Sequence, residues 1–86
     1  MSLSLQLYTK PGCHLCERAE ADLARLQRRY PHALKLIDIT ADADLARRYG
    51  ELIPVLEVAG RTYSAPLPAA TLERALSEAS REAGAS

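Results

Sequence analysis

The sequence predicts one α/β domain with the element order β-α-β-α-β-β-α, a four-stranded mixed sheet with helices on both faces. Three observations predict it. Residues 3–8 read Leu-Ser-Leu-Gln-Leu-Tyr, a two-residue alternation that belongs to a strand. A helical repeat follows it and leads to a second β-rich run, the layout of a parallel strand pair with a right-handed crossover. The last third of the chain holds two short runs around Gly60 and then another helical repeat, the layout of a hairpin and a closing helix.

Taken in order, Pro11-Gly12 breaks the first strand and makes a turn. A helix is expected over about residues 13–30. Its apolar stripe is Leu15, Ala19, Leu23 and Leu26, with Arg18, Asp22, Arg25 and Arg29 on other faces. Glu17 in the first turn and Arg28 and Arg29 in the last suit the helix dipole, and Pro31 stops the helix. Residues 34–39 form the second strand. A short helix is expected over about residues 42–49, with Thr40 or Asp42 as its cap and Gly50 as its stop.

Glu51-Leu52-Ile53 leads to Pro54, and residues 55–58 read as the third strand. Gly60 permits a tight turn into a fourth strand at 61–64, which Pro66 and Pro68 end. Pro68 suits the first position of a last helix, whose stripe is Ala69, Leu72, Leu76 and Ala79 and which runs to about Glu82. The domain is expected to span residues 1–83, with 84–86 a frayed tail.

The bulk composition narrows the function. Eighty-six residues make one domain with a small core. Eleven acids balance eleven bases, so the chain lacks the basic footprint of nucleic-acid binding and any polybasic membrane patch. The N-terminus has neither the basic region nor the apolar run of a signal peptide, and no window reaches the length of a membrane span. A cytoplasmic monomer is the expectation. In that compartment structural disulfides are rare, and a cysteine pair reads as catalytic or metal-binding.

The chemistry concentrates in Tyr8-Thr9-Lys10-Pro11-Gly12-Cys13-His14-Leu15-Cys16, which holds both cysteines of the chain. Their spacing, at a strand-to-helix junction, lets one local disulfide open and close. A thiolate is the form that attacks a disulfide, and a free cysteine titrates near ~8.5. At a helix start, unpaired backbone N–H groups and the positive end of the dipole favour the anion. Cys13 is therefore the expected nucleophile, the more exposed and more acidic thiol. Cys16, one turn further in, can attack the mixed disulfide and expel the bound thiol. Lys10 adds positive charge, and so does His14 when protonated. His14 is read equally as a thiolate-stabilising group and as a plain exposed residue of the first turn.

This segment resembles the glutaredoxin active site, in which a lysine stands three residues before the first cysteine of Cys-x-x-Cys. The element order is that of a minimal thioredoxin-like fold. Ile53-Pro54 resembles the family's apolar residue followed by a cis-proline at the start of the third strand. The resemblance implies a thiol–disulfide oxidoreductase in which Cys13 attacks, Cys16 resolves and Pro54 is cis beside them. It implies supporting roles for Lys10, Gly12 and His14, and a backbone at Ile53 whose N–H and C=O pair with an extended substrate. The implied partners are a protein or small-molecule disulfide and, as electron donor, glutathione or a thioredoxin-type reductase, with no bound cofactor or metal.

Two departures stand out. Glutathione-using members carry a Gly-Gly pair and acidic residues before the last helix. This chain has Ser64-Ala65-Pro66-Leu67-Pro68-Ala69-Ala70 there, so weak glutathione specificity is expected. The dipeptide between the cysteines is His14-Leu15 where many members have Pro-Tyr. The pattern fits a short bacterial glutaredoxin-like branch. Two other functions compete: a metal or iron–sulfur module built on the cysteines, and a thioredoxin-fold interaction domain without turnover. His32 is read as a surface loop residue. Asp38 is read as a cap for the next turn of chain or, less simply, as an acid near the site. Arg28-Arg29 and Arg47-Arg48 are read as solvated helix ends.

Overall fold

A computed structural model describes residues 3–84. The elements are β1 (Leu3–Thr9), α1 (His14–Leu26), β2 (His32–Asp38), a 3-10 turn (Ile39–Ala41), α2 (Ala43–Tyr49), β3 (Val55–Val58), β4 (Arg61–Tyr63) and α3 (Ala69–Gly84). The sheet order is β2-β1-β3-β4. β1 runs parallel to β2, from Leu3 opposite His32 to Thr9 opposite Asp38. β3 is antiparallel to β1, with Leu7 opposite Leu56 and Tyr8 opposite Val55, and β4 is antiparallel to β3.

The alternation in β1 sorts two cores. Leu5 and Leu7 are fully buried on one face with Leu56 and Val58. Ala19 and Leu23 of α1 and Leu72, Ala75, Leu76 and Ala79 of α3 cover that face. Each such leucine contributes about 1.5–3 kcal/mol by leaving water. Tyr8 and Val55 belong to a second cluster with Ile39 and Ile53, which Leu45 and Tyr49 of α2 cover. The central strand is thus buried on both sides, and helices lie on both faces of a mixed sheet, as expected.

Several boundaries and burials differ from the sequence reading. The stripe of α1 is Cys16, Ala19 and Leu23, whereas Leu15 is 56% exposed. Helix α1 ends at Leu26, with Arg25 as the base in its last turn. The Gln27 side-chain amide then clasps the backbone of His32, donating to its carbonyl at 2.8 Å and accepting its N–H at 3.1 Å. This side chain stands in for strand pairing, so the chain turns early and β2 starts two residues before the expected 34. His32 is consequently a buried residue of the sheet and not a surface loop residue. Its Nδ1 lies 2.7 Å from the Tyr30 carbonyl, which makes Nδ1 the protonated nitrogen.

Asp42 is the cap of α2, accepting from the N–H groups of Asp44 at 2.8 Å and Leu45 at 3.3 Å. Thr40 instead lies in the 3-10 turn, where Asp38 accepts its N–H at 2.8 Å and its hydroxyl at 2.6 Å. That settles Asp38 as an exposed capping residue. The Pro68 carbonyl accepts from Thr71 and Leu72, so Pro68 precedes α3 and Ala69 is its first residue. Helix α3 continues through Gly84, and Ala85 and Ser86 lie outside the described residues. The β3–β4 turn places Ala59 at φ 53° and Gly60 at φ 76°, two left-handed residues in succession that match the twist of a two-residue hairpin.

Candidate functional site: a cysteine pair at a helix start

Gly12 adopts φ 79°, a left-handed conformation that reverses the chain between β1 and α1. The space around it is open, so the backbone angle and not crowding calls for glycine there. The turn closes with the Cys13 N–H donating to the Lys10 carbonyl at 3.4 Å. Cys13 is then the N-cap of α1, in extended conformation, and its Sγ accepts the N–H of Cys16 at 3.2 Å. One of the otherwise unpaired donors of the first turn is thereby aimed at sulfur.

Cys13 and Cys16 form a disulfide with their Cα atoms 5.2 Å apart. The two sulfurs are not equivalent. Cys13 is half-buried, while Cys16 is fully buried in the cluster of Tyr8, Ile39, Ile53 and Val55. A substrate approaching from solvent meets Cys13. Tyr8 in this cluster stacks on Tyr49 with ring centroids 4.4 Å apart. Burial, then the Glu57 carboxylate and Tyr49, push the Tyr8 hydroxyl above the ordinary phenol range, so it stays neutral and donates toward Gln6 and Glu57.

The remaining expected site residues fall on different sides of the pair. The Ile53–Pro54 peptide is cis, and Pro54 is fully buried. Ile53 packs in the same cluster as both cysteines. Its N–H, however, donates to the Tyr49 carbonyl at 3.1 Å, the closing bond after α2. Ile53 therefore does not offer the expected donor–acceptor pair, and its carbonyl alone is left for an incoming chain. His14 is 96% exposed, with Nδ1 3.6 Å from Glu17. Lys10 shares a shallow depression with Thr9, Gly12, Glu17, Glu20 and Asp38.

On the other side of the helix start lies a groove of about 490 Å³. Leu15, Arg18, Asp22 and Arg25 form one wall. Pro54, Pro66, Leu67, Pro68 and Ala69 form the other. None of the first-wall residues stood out as functional in the sequence, although positions 15, 18, 22 and 25 recur at the spacing of a single helix face. The second wall contains a second cis peptide, Ala65–Pro66, for which the sequence carries no local signal. Asp22 pairs with Arg25 within the groove wall. Among the described residues no three or more potential metal ligands gather, and no helix is long and apolar enough to cross a membrane.

A sheet of this topology, with a Cys-x-x-Cys disulfide at the start of its first helix and a cis-proline before its third strand, defines a thioredoxin-like protein. The chain belongs to the glutaredoxin-like family: the model of the Glutaredoxin-like domain (DUF836) matches residues 4–82. Among solved structures, it is similar to a structural-genomics target protein from X. campestris, at 36% identity and TM-score 0.76, over 87% of this chain and 97% of that one. It is also similar to protein Ne2328 from Nitrosomonas europaea, at 29% identity and TM-score 0.73, over 88% of this chain and 93% of that one. A mutant thioredoxin from Halobacterium salinarum shares the fold at 20% identity and TM-score 0.68, over 91% of this chain and 74% of that one. No curated protein matches the chain. Family, fold and disulfide together support a redox-type function.

Proposed function

We propose that this protein is a thiol–disulfide oxidoreductase that cycles through Cys13 and Cys16. The observation that supports the reading best is the asymmetry of the pair. Cys13 sits at the helix start with an N–H aimed at its sulfur, and Cys16 lies fully buried one turn inside.

In the reduced protein Cys13 loses its proton to solvent, helped by the Cys16 N–H and the helix dipole. The thiolate attacks one sulfur of a substrate disulfide. The substrate S–S bond breaks, the first substrate thiolate leaves and takes up a proton, and Cys13 holds the other half as a mixed disulfide. Cys16, deprotonated in turn, attacks the Cys13 sulfur. The second substrate thiolate leaves and is protonated, and the Cys13–Cys16 bond forms. Two electrons have passed from the pair to the substrate, and two protons released by the cysteines match two taken up by the products. Glutathione or a thioredoxin-type reductase returns the electrons in this reading.

Turnover of 2-hydroxyethyl disulfide with a chemical dithiol as donor tests the proposal. The unmodified chain turns over and Cys13→Ser does not. Equal rates for the two would refute it.

A further inference from the structure

We propose that the groove beside the cysteine pair binds a polypeptide disulfide substrate, and that Arg18 selects substrates carrying an acidic residue close to the reacting cysteine. The inference rests on the oxidoreductase reading and names the substrate class of that site. The groove starts at Leu15, which stands between the two cysteines, and at Pro54, which follows Ile53 of the cysteine cluster. Anything bonded to Cys13 Sγ therefore lies at its mouth.

The occupant follows from the lining. Leu15, more than half exposed, faces a floor at Leu67 and the rings of Pro54, Pro66 and Pro68. Prolines lack an N–H, so this wall offers few donors to a polar ligand and a rigid surface to an apolar one. A volume near 490 Å³ is enough for an apolar side chain and the backbone on either side of it. The free Ile53 carbonyl can accept one backbone N–H of the same segment.

Charge complementarity supplies the rest. Two cations line the α1 wall. Arg25 is already neutralised by Asp22. Arg18, one turn closer to the disulfide, forms none of the ion pairs found among the described residues. A carboxylate on the docked segment would complete it. The fitting occupant is thus an extended segment with a leucine-like residue beside its cysteine and an aspartate or glutamate beyond.

Three peptides test this, each with its cysteine capped as a mixed disulfide with 2-mercaptoethanol: Glu-Leu-Cys-Leu-Glu, Lys-Leu-Cys-Leu-Lys and Glu-Ser-Cys-Ser-Glu. Their symmetry removes any dependence on chain direction. The glutamate–leucine peptide should exceed the lysine–leucine peptide in kcat/KM by about fivefold at low salt, as exposed charge pairs allow. The preference should collapse in about 1 M salt. It should exceed the serine peptide by about tenfold, the effect expected of one buried apolar side chain. In Arg18→Glu the order of the two charged peptides should invert, a ratio taken within one variant and so independent of how much of it folds. Equal kcat/KM for all three peptides, with 2-hydroxyethyl disulfide still turned over, would overturn the docking proposal and leave the oxidoreductase reading standing. An unchanged ratio in Arg18→Glu would overturn the role of Arg18. A concentration-dependent dimer abolished by Leu15→Ser would assign the groove to a second copy of the chain and overturn the proposal too. Failure to reduce any disulfide, 2-hydroxyethyl disulfide included, would refute the underlying reading itself.

Discussion

The backbone N–H of Cys16 points at Cys13 Sγ from 3.2 Å, while the sulfur of Cys16 is closed to solvent. One residue thus stabilises the other as an anion before reacting with it. Hydrogen bonds to charged acceptors are about twice as strong as neutral ones, so the contact strengthens when Cys13 loses its proton. In the reduced protein, iodoacetamide should label Cys13 about tenfold faster than Cys16 at neutral pH. Peptide mapping by mass spectrometry reads this. Faster labelling of Cys16 would reverse the assignment.

Glutathione should be a weak, non-saturating partner. Residues 64–70 carry no acid for its amino group, and Pro66 and Pro68 remove N–H donors from the groove wall. Two or three missing charge-assisted bonds at ~1.5–3 kcal/mol each weaken binding by orders of magnitude. Initial rates with a glutathionylated peptide should rise linearly through the micromolar range. Saturation there would show that other residues grip glutathione.

Asp38 should stabilise the fold in a pH-dependent way. The Thr40 hydroxyl, then the Thr40 N–H, hold its carboxyl below the ordinary range. A depressed carboxylate contributes stability above its unfolded pKa and loses it as pH falls through the folded one. Asp38→Ala should therefore lower the urea midpoint at about pH 7, and the deficit should shrink from about pH 4 downward. A deficit that stays constant with pH would mean the carboxylate charge plays no part.

Ala59 is the one non-glycine residue with positive φ among the described residues, at 53° in the hairpin turn. Its Cβ costs about 1 kcal/mol in that conformation. Ala59→Gly or Ala59→Asn should raise stability by about 0.5–1 kcal/mol, measured by urea denaturation, with disulfide turnover unchanged. A loss of stability in both variants would contradict the turn assignment.

Much of the fold and the centre of the site are legible in the residues themselves. The alternation of Leu3, Leu5 and Leu7 marks the central strand, and the Cys-x-x-Cys pair after Pro11-Gly12 marks the helix start. What escaped reading depends on contacts distant in sequence. The repeats 15/19/23/26 and 16/19/23/26 are both acceptable helix faces, and only packing on the sheet decides that Cys16 is core and Leu15 lines the groove. The early end of α1 and the burial of His32 come from the Gln27 clasp, a side-chain bond with no local pattern. The engagement of the Ile53 N–H by Tyr49 reflects how α2 ends, which the Ile53-Pro54 dipeptide does not reveal. Asp42 and Gly50, by contrast, act through their own local chemistry and cap α2 as read.

The most direct measurement is the covalent intermediate itself. Reduced Cys16→Ser protein, mixed with a peptide disulfide and analysed by intact-mass and fragment mass spectrometry, should accumulate one peptide adduct on Cys13, because the buried thiol that would expel it is gone. Reduced Cys13→Ser should form none. An adduct on Cys16 in Cys13→Ser at a comparable rate, or no adduct on Cys13 in Cys16→Ser, would contradict the assignment of Cys13 as the attacking thiol and Cys16 as the resolving one.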